Sequence, residues 1–401
     1  MSVETPGLEA LCGVRPMWTR LARADALFTC EGRWLLHAGP PYAHARVPPA
    51  PVLSSAVLAC LYEGWAASEA DAESMIARGE VRLESAQAHR CVTPLAALVS
   101  PSTTVIVVED QHGAVAPAYA PLGTTGGPDL RFGTRDTGIL ARLRLRDTGQ
   151  AQTLAAALSE PIDLFAIALD AVKGGDDLHN RTAAATRCLV QTVSTRLEGS
   201  TVPREHAARL IAALDSTPLF FLTFWMAAAK LILSAAESRA PASLVTCMAG
   251  NGEVFGVVLA GAPGRWVTMP TTAPQGPRMP GVPDEAQALG AIGDSAVIDA
   301  LGFGGQALQF APEPEAALRD YLPRNFREIP SAVLTARHPA FDDIDLRVGL
   351  DAARIVASGI APLVTLGMVE RTGARGLLGR GVFRPPVALF RRALDGLAAK
   401  K

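Results

Sequence analysis

The sequence predicts a multidomain protein of the α+β class, with an N-terminal α/β domain, a helical middle domain and a C-terminal α+β domain. Three observations lead to this prediction. The chain has 401 residues, more than one ordinary hydrophobic core needs, which favours two or three domains. The spacing of its apolar residues changes along the chain from strand-like runs to a helical period and back. Segments rich in glycine and proline separate these stretches.

The first predicted domain, residues 1–150, mixes strands with helices. Residues 33–36 and 103–109 form short apolar runs that are typical of buried strands. Residues 57–67 and 69–78 have the three- and four-residue spacing of helices, and a proline-rich loop precedes them. This mixture of strands and helices indicates an α/β unit.

The second predicted domain, residues 151–240, is helical. Alanine and leucine recur there at helical spacing, and glycines at 174–175 and the stretch 199–203 divide the helices. Residues 218–236 are strongly apolar, but Lys230 interrupts them and leaves a run too short to cross a bilayer. We therefore expect a buried helix here, not a membrane span.

The start of that buried helix carries its own signal. Asp215 or Ser216 can serve as the N-cap, and Pro218 suits the first turn. The sequence thus predicts that the buried helix begins close to Pro218.

The third predicted domain, residues 241–401, returns to a mixed pattern. Strands separated by glycine-rich turns come first and helices follow, with strands at 244–248, 254–259 and 266–269 and helices at 284–301 and 387–397.

Composition narrows the classes of function. Hydrophobic residues make up 49% of the chain, charged residues 19%, and the formal net charge is −2, so no basic field favours nucleic acid. The N-terminal residues contain acids and prolines where a signal peptide needs a basic flank and an apolar run. These features predict a cytoplasmic protein that binds neither nucleic acid nor membrane. The apolar, aromatic-poor composition is compatible with a homo-oligomer, which we expect.

Metal and cofactor motifs do not stand out. The 6 cysteines are scattered, without a CxxC pair or a Cys/His pair at zinc spacing, so neither a disulfide framework nor a metal site is predicted. Residues 373–381, GARGLLGRG, lack the spacing of a dinucleotide loop and the Lys-Ser/Thr of a P-loop. We expect no cofactor.

The densest group of reactive side chains lies at residues 174–181, GGDDLHNR. The glycines can end one helix, and Asp176 is a good N-cap for the next, which would place His179 in its first turn. Asp177 and Arg181 add a second carboxylate and a cation beside the positive end of that helix. Such a group suits a phosphate or carboxylate ligand. A capped surface helix is the structural alternative.

Other polar positions combine chemistry with turn residues, and each has a structural alternative. Asn251 and Gly252 form the strongest hairpin signal, so their segment is either a binding loop or a tight turn. Arg265 can fork onto an anion or form a surface ion pair. His37 can face a cleft or anchor its loop. The candidate binding residues from these segments are His37, Gly250, Asn251, Gly252, Arg265, Gln275, Asp294 and Ser295.

Beyond these separate motifs, the chain resembles the YahG/YlbE-like family along nearly its whole length. The resemblance rests on segments that occur in the family's order: LLHAGPP (35–41), CLYEGWA (60–66), GGDDLHNR (174–181), FFL and MAAAK (within 220–230), SLVTCMAGNGEVFG (243–256), RWVTMPTTAPQG (265–276), IGDSAVIDALGFGG (292–305), PRN (323–325) and GLDAARIVASGIAPLVTLGM (349–368).

The resemblance implies a carbamoyltransferase function. Members of the family include a subunit of bacterial oxamate carbamoyltransferase, which acts in anaerobic allantoin breakdown with an FdrA-like subunit and a small third partner. The implied reaction converts oxalurate and phosphate into oxamate and carbamoyl phosphate. It also implies a small anionic substrate and membership of a heteromeric complex.

The implied chemistry suits the candidate residues. Carbamoyl transfer needs cations for the phosphate, donors for the carbonyl oxygen and a group that moves a proton. Under this resemblance His179, oriented by Asp176 or Asp177, is the acid/base. Asp294 and Ser295 organise the pocket or hold a substrate amide. The anions are bound by Arg181, Arg265 and Arg324. The carbonyl oxygen is polarised by Asn251, Asn325 or the backbone amides of Gly250 and Gly252.

The sequence leaves other functions open. Thr182 stands where the family usually has Asn, and a glycine-containing stretch of longer members is missing before Arg324. A related carbamoyl or acyl substrate is therefore one alternative. A subunit that binds ligand or assembles the complex without catalysis is another. A hydrolase or lyase that acts alone on a ureido acid or cyclic imide is the third.

Overall fold

The computed structural model describes residues 6–341 and 343–399, so the first five residues of the predicted 1–150 domain and the end of the predicted 241–401 domain lie outside it. Within those residues the strands, in chain order, are β1 (Pro16–Arg23), β2 (Arg33–His37), β3 (Val81–Ser85), β4 (Leu98–Val99), β5 (Thr104–Asp110), β6 (Ala118–Pro121), β7 (Ile162–Asp163), β8 (Val245–Asn251), β9 (Val254–Leu259), β10 (Val267–Pro270), β11 (Ile292–Gly293), β12 (Leu334–Arg337), β13 (Arg347–Leu350), β14 (Val364–Val369) and β15 (Leu377–Phe383).

The helices lie before, between and after these strands along the chain, and the mixture confirms the predicted α+β class. They are α1 (Pro6–Gly13), α2 (Ala50–Tyr62), α3 (Glu69–Arg78), α4 (Gly138–Leu145), α5 (Ala151–Ala155), α6 (Leu164–Lys173), α7 (Ala183–Glu198), α8 (Arg204–Asp215), α9 (Leu222–Ser234), α10 (Ala296–Leu301), α11 (Pro312–Leu318), α12 (Ile329–Val333), α13 (Ala352–Ser358) and α14 (Val387–Ala398).

The strands form small sheets, not one large one. Two four-stranded antiparallel sheets have the orders β6-β5-β1-β7 and β10-β9-β8-β11. A three-stranded sheet, β3-β2-β4, pairs β2 with β3 in parallel, and α2 and α3 connect these two strands. Two hairpins, β12–β13 and β14–β15, complete the set. Because β7 joins β1, the first sheet combines residues from the predicted 1–150 and 151–240 domains; the domain boundaries stay a prediction.

Helix α9 is the centre of the largest hydrophobic core. All of its residues are buried, and it contacts strands of both four-stranded sheets. The Phe224 ring lies 4.7 Å from the Trp18 ring, and the Trp225 ring lies 5.1 Å from the Phe303 ring. Aromatic pairs at these distances stabilise the core beyond the area they bury. No helix among the described residues is long and apolar enough to cross a membrane.

The buried helix is confirmed, but its predicted start is wrong. Helix α8 runs through Asp215 and ends at Ser216, so neither residue caps α9. The carbonyl of Pro218 instead accepts hydrogen bonds from the Thr182 and Thr186 hydroxyls at 3.0 and 2.9 Å. This long-range anchor holds the segment as a turn against α7, and α9 begins only at Leu222.

Two other predicted helices differ from the structure. Helix α2 begins earlier than residue 57, at Ala50, with Pro51 in its first turn, where proline fits a helix well. Most of the predicted 284–301 helix is wrong, since α10 starts only at Ala296. The Leu289 N–H donates to the Val369 carbonyl at 2.8 Å, so pairing with the β14–β15 hairpin replaces helical bonds there.

Candidate functional site

The loop at residues 174–182 joins α6 to α7 and is organised by Asp177. One carboxylate oxygen of Asp177 accepts the backbone N–H groups of His179, Asn180 and Arg181 at 3.0, 2.8 and 2.9 Å. Its other oxygen accepts the Asn180 side-chain amide at 2.6 Å. Asp177 is fully buried, so these bonds hold the loop in a single conformation.

Asp176 supports the same loop from its other side. The predicted cap position is wrong, because α7 begins at Ala183 and His179 therefore lies in the loop, not in the first turn. The Asp176 carboxylate still accepts the Ala185 N–H at 2.9 Å, so it caps the helix from a distance. It also pairs with the Arg181 guanidinium. Burial raises the pKa of Asp176, although the hydrogen bonds from α7 and the pairing with Arg181 oppose this rise.

His179 is oriented by Asp299, which corrects the prediction that Asp176 or Asp177 holds its ring. His179 Nδ1 lies 2.8 Å from Asp299 Oδ2, on α10, and 3.3 Å from the Thr365 hydroxyl, on β14. The other Asp299 oxygen accepts the N–H groups of Gly305 at 2.7 Å and Thr365 at 3.2 Å. Burial raises the pKa of Asp299, while the His179 ring opposes that rise.

This geometry fixes the chemistry available to His179. A hydrogen bond from Nδ1–H to Asp299 assigns the proton of the neutral ring to Nδ1. Nε2 is then a lone-pair acceptor, and no side chain in the described part of the molecule hydrogen-bonds to it. A base held by a carboxylate and free on its other nitrogen is the arrangement that proton transfer needs.

His179 lies on the wall of a cavity of about 140 Å³, which we call the inner cavity. Its polar lining comes from the 174–182 loop, the start of α10, β14, β15 and the segment before α4, and apolar side chains close the rest. The polar lining residues are Arg131, His179, Asn180, Ser295, Thr365 and Arg380.

Two guanidinium groups, those of Arg131 and Arg380, line the inner cavity. Arg380 donates to the Asn180 carbonyl and has no carboxylate within ion-pair distance among the described residues. Arg131 lies 3.3 Å from Asp129, but its buried Nε makes no hydrogen bond. Burial lowers the pKa of the Arg380 guanidinium. Nearby Asp177 opposes this shift, whereas Arg131 lowers the pKa further. The Arg380 side chain is nevertheless exposed, because it lines open cavities. Such a pair suits a small anion.

A larger space of about 610 Å³, which we call the outer cleft, adjoins the inner cavity. Asn180, Leu219, Leu377 and Arg380 line both, so they form the common wall. Arg181 lines only the outer cleft, and its guanidinium is already paired with Asp176 and with Glu313.

Other predicted residues form a second buried cluster. Asp294, just before Ser295, accepts the Gly39 N–H at 2.9 Å, the Thr93 N–H at 2.8 Å and the Gln87 amide at 2.7 Å. Burial raises the pKa of Asp294 to about 6 in spite of these donors. Asp294 therefore ties three loops together one residue away from the inner cavity.

The Asn251 segment is a hairpin turn within this cluster. The Asn251 side-chain oxygen accepts the N–H groups of Glu253 and Val254, and Gly252 has φ +91, which favours glycine. The Asn251 side-chain amide donates to the Pro40 carbonyl at 2.9 Å. The hairpin alternative thus accounts for every polar atom of the Asn251 side chain.

His37 belongs to the same cluster, since its ring packs against Tyr42 with 4.3 Å between ring centroids. Its Nδ1 lies 2.8 Å from the Ala38 carbonyl, and its buried Nε2 has no partner. Burial lowers the pKa of His37 to about 4. Gly250 lies where β8 meets β11, and a Cβ there would lie 2.1 Å from the Ala291 carbonyl oxygen.

The remaining predicted residues line neither the inner cavity nor the outer cleft. The Arg265 guanidinium lies against Gly396 of α14. Gln275 is exposed and exchanges backbone hydrogen bonds with Val382 of β15. Arg324 and Asn325 are exposed in the loop before α12. Their role in binding stays a prediction.

Sequence reasoning missed four residues of this site: Arg131, Asp299, Thr365 and Arg380. Asp299 lies within the IGDSAVIDALGFGG segment, and Arg380 within the glycine-rich run considered for a nucleotide loop. That run forms the end of the β14–β15 turn and most of β15. Of the two segments, only residues 373–381 carried a sequence signal for a functional residue, namely their unusual density of arginine and glycine.

Fold and site together define a multidomain α+β protein in which a His–Asp pair and two guanidinium groups line one cavity. The family model for oxamate carbamoyltransferase subunit AllG matches residues 81–295. The chain belongs to this family. The resemblance inferred from the sequence motifs is thereby confirmed.

Named relatives and one solved structure agree with this assignment. Oxamate carbamoyltransferase subunit AllG of Escherichia coli K12 is 32% identical over 98% of this chain and 96% of its own length. The uncharacterized protein YahG of the same organism is 29% identical over 90% of this chain and 78% of its own. A crystal structure of a conserved protein of unknown function from Enterococcus faecalis V583 has a TM-score of 0.91 at 26% identity, covering 98% of this chain and 96% of that one.

Proposed function

We propose that this protein is the carbamoyl-transferring subunit of an enzyme complex that acts on oxamate and oxalurate or on a closely related small amide and ureido acid. The observation that carries the proposal is the His179–Asp299 pair, 2.8 Å apart, on the wall of a cavity that Arg131 and Arg380 also line. The family assignment supplies the class of reaction.

In the proposed reaction the amide nitrogen of oxamate attacks the carbamoyl carbon of carbamoyl phosphate. The new C–N bond forms, the C–O bond to phosphate breaks, and phosphate leaves with that electron pair. Nε2 of His179 takes the proton that the attacking nitrogen loses, and Asp299 stabilises the resulting imidazolium. In the opposite direction His179 returns this proton to the departing oxamate nitrogen.

The positive groups have a separate role in this proposal. Arg131 and Arg380 bind the phosphate or the substrate carboxylate, because guanidinium groups match the geometry of both anions. Ser295 is a donor for the carbonyl oxygen as charge develops on it. Asp176 and Asp177 act through the loop, which they hold by backbone hydrogen bonds.

The family also suggests partner subunits. The relative named AllG is described as a subunit. We expect an FdrA-like subunit and a small third subunit as partners of this chain, which we place in the cytoplasm. Allantoin breakdown is the pathway that the resemblance suggests for this reaction.

The test is phosphate-dependent cleavage of oxalurate, followed as carbamoyl phosphate and oxamate formed. The assay uses the chain alone and the chain co-expressed with the products of neighbouring genes. His179→Ala should abolish turnover by the assembled complex, whereas His206→Ala, an exposed histidine on α8, should leave it unchanged.

The outcomes separate the competing functions. Full activity of the His179→Ala complex would refute the proposed role of the inner cavity and favour a binding or assembly subunit. Hydrolysis of ureido acids by the chain alone, without phosphate, would favour a hydrolase or lyase.

A further inference from the structure

A second group of reactive side chains lies in the sheet formed by β3, β2 and β4. Cys30 is in the loop before β2, Glu84 is on β3, and His89 ends the 3₁₀ turn that follows β3. None of the three lines the inner cavity or the outer cleft. The proposed carbamoyl chemistry gives them no role.

The ligand atoms of these residues converge on one point. His89 Nε2 lies 3.1 Å from Glu84 Oε2 and 3.9 Å from Cys30 Sγ, and all three atoms lie within 4.8 Å of one another. Around a tetrahedral zinc ion, with Zn–S near 2.3 Å and Zn–N and Zn–O near 2.0–2.2 Å, neighbouring ligand atoms lie about 3.3–3.6 Å apart. Shifts of about 1 Å or less would bring the three atoms to this spacing.

The neighbouring side chains orient the donor atoms of the group. Arg82 donates to Glu84 Oε1, which leaves Oε2 directed at His89. The Phe28 ring packs beside the His89 ring, with 5.8 Å between the two ring centroids. A thiolate and a carboxylate would neutralise a divalent ion, and one imidazole completes a donor set that suits zinc.

We propose that Cys30, Glu84 and His89 form a site for Zn²⁺ or another divalent ion of similar preference, with water as the fourth ligand. The side chains of Glu84 and His89 are 26% and 20% exposed, so a fourth position can reach solvent. The bound ion would fasten the loop before β2 to β3. It would stabilise the folded state in proportion to its affinity.

The experiment titrates the metal-stripped full chain with Co²⁺ and then with Zn²⁺. One equivalent of Co²⁺ should produce the absorption of a thiolate-to-cobalt charge transfer and the intense visible bands of a tetrahedral ion, and Zn²⁺ should abolish both. Zinc should also raise the thermal unfolding temperature.

Matched variants locate the site. Cys30→Ser should remove the charge-transfer band, while Cys188→Ser, a half-buried thiol on α7, should retain it. Glu84→Gln and His89→Gln should weaken binding about 10-fold or more. A wild-type protein that shows no thiolate–cobalt band overturns the proposal, as does a folded Cys30→Ser variant that keeps one. If Cys30→Ser fails to fold, unchanged affinity in His89→Gln overturns it equally.

Discussion

His179 Nδ1 lies 2.8 Å from Asp299 Oδ2, although 120 residues separate the two along the chain. The contact joins the loop before α7 to helix α10. Asp299 is also held by two backbone N–H groups, so it is a fixed acceptor and not a mobile one. The direction of the His179 ring is therefore set by the fold before any ligand binds.

Asp299→Asn should lower turnover by about 100-fold, because an amide cannot stabilise an imidazolium as a carboxylate does. The substitution keeps the size of the side chain, so the expected change is in kcat and in the pH profile. Steady-state kinetics of the assembled complex between about pH 5 and 9 measure both. Asp320→Asn, at an exposed position, is the control. An unchanged pH profile would exclude Asp299 as a positioning residue.

Arg380→Met should weaken the binding of phosphate and carbamoyl phosphate by about 10- to 100-fold, since a hydrogen bond to a charged group contributes about 1.5–3 kcal/mol. Isothermal titration calorimetry with inorganic phosphate measures the affinity. Arg375→Met, an exposed arginine in the same hairpin, should bind phosphate normally. Equal affinity in the two variants would show that the anion binds elsewhere.

Asp294 should make the stability depend on pH between about 4 and 6. Burial raises its pKa from 3.8 to about 6, so the folded state holds a proton that the unfolded state releases in this range. The free energy of unfolding should therefore fall as pH rises through the range, by up to about 3 kcal/mol, and then level off. Urea unfolding at several pH values measures this fall.

Asp294→Asn is the matching variant. It should flatten the dependence on pH and unfold more easily at neutral pH, because its amide would oppose the donors of Gly39 and Thr93. A variant whose pH dependence equals that of the wild type would assign the effect to another group.

Gly250→Ala should destabilise the protein by several kcal/mol. Its Cβ would lie 2.1 Å from the Ala291 carbonyl oxygen, where β8 meets β11, so the backbone would have to move. Gly13→Ala, whose Cβ would meet nothing within 4 Å, is the control and should change stability little. Thermal unfolding of the two variants and the wild type measures the loss of stability in each. Equal stability would mean that the sheet accommodates the methyl group.

Local signals in the sequence predicted individual elements well. Helix α3 and strand β9 have the predicted bounds. The Ser68 hydroxyl accepts the Asp71 N–H at the start of α3, and Gly79 ends the helix in the left-handed conformation, so the residues that set both boundaries directly flank the element. Where long-range bonds decided the outcome, as at Pro218 and Leu289, the prediction failed.

The candidate site shows the same division. His179 and Ser295 were found because reactive residues lay beside helix signals, and both line the inner cavity. Arg131 and Arg380 were missed because only tertiary packing brings them together. The spacing rules for zinc motifs failed to detect Cys30 and His89 as neighbours for a similar reason, since the chain separates these residues by 59 positions.

Arg380 lines both the inner cavity and the outer cleft, together with a third cavity beside Thr217. An anion in one of these spaces that draws the guanidinium towards itself withdraws it from the others. Occupancy of the spaces is then thermodynamically coupled, and linkage requires that each ligand change the affinity of the other by the same factor. One side chain thus couples ligand binding in three neighbouring cavities, so an affinity measured with one ligand depends on whether the other cavities are occupied.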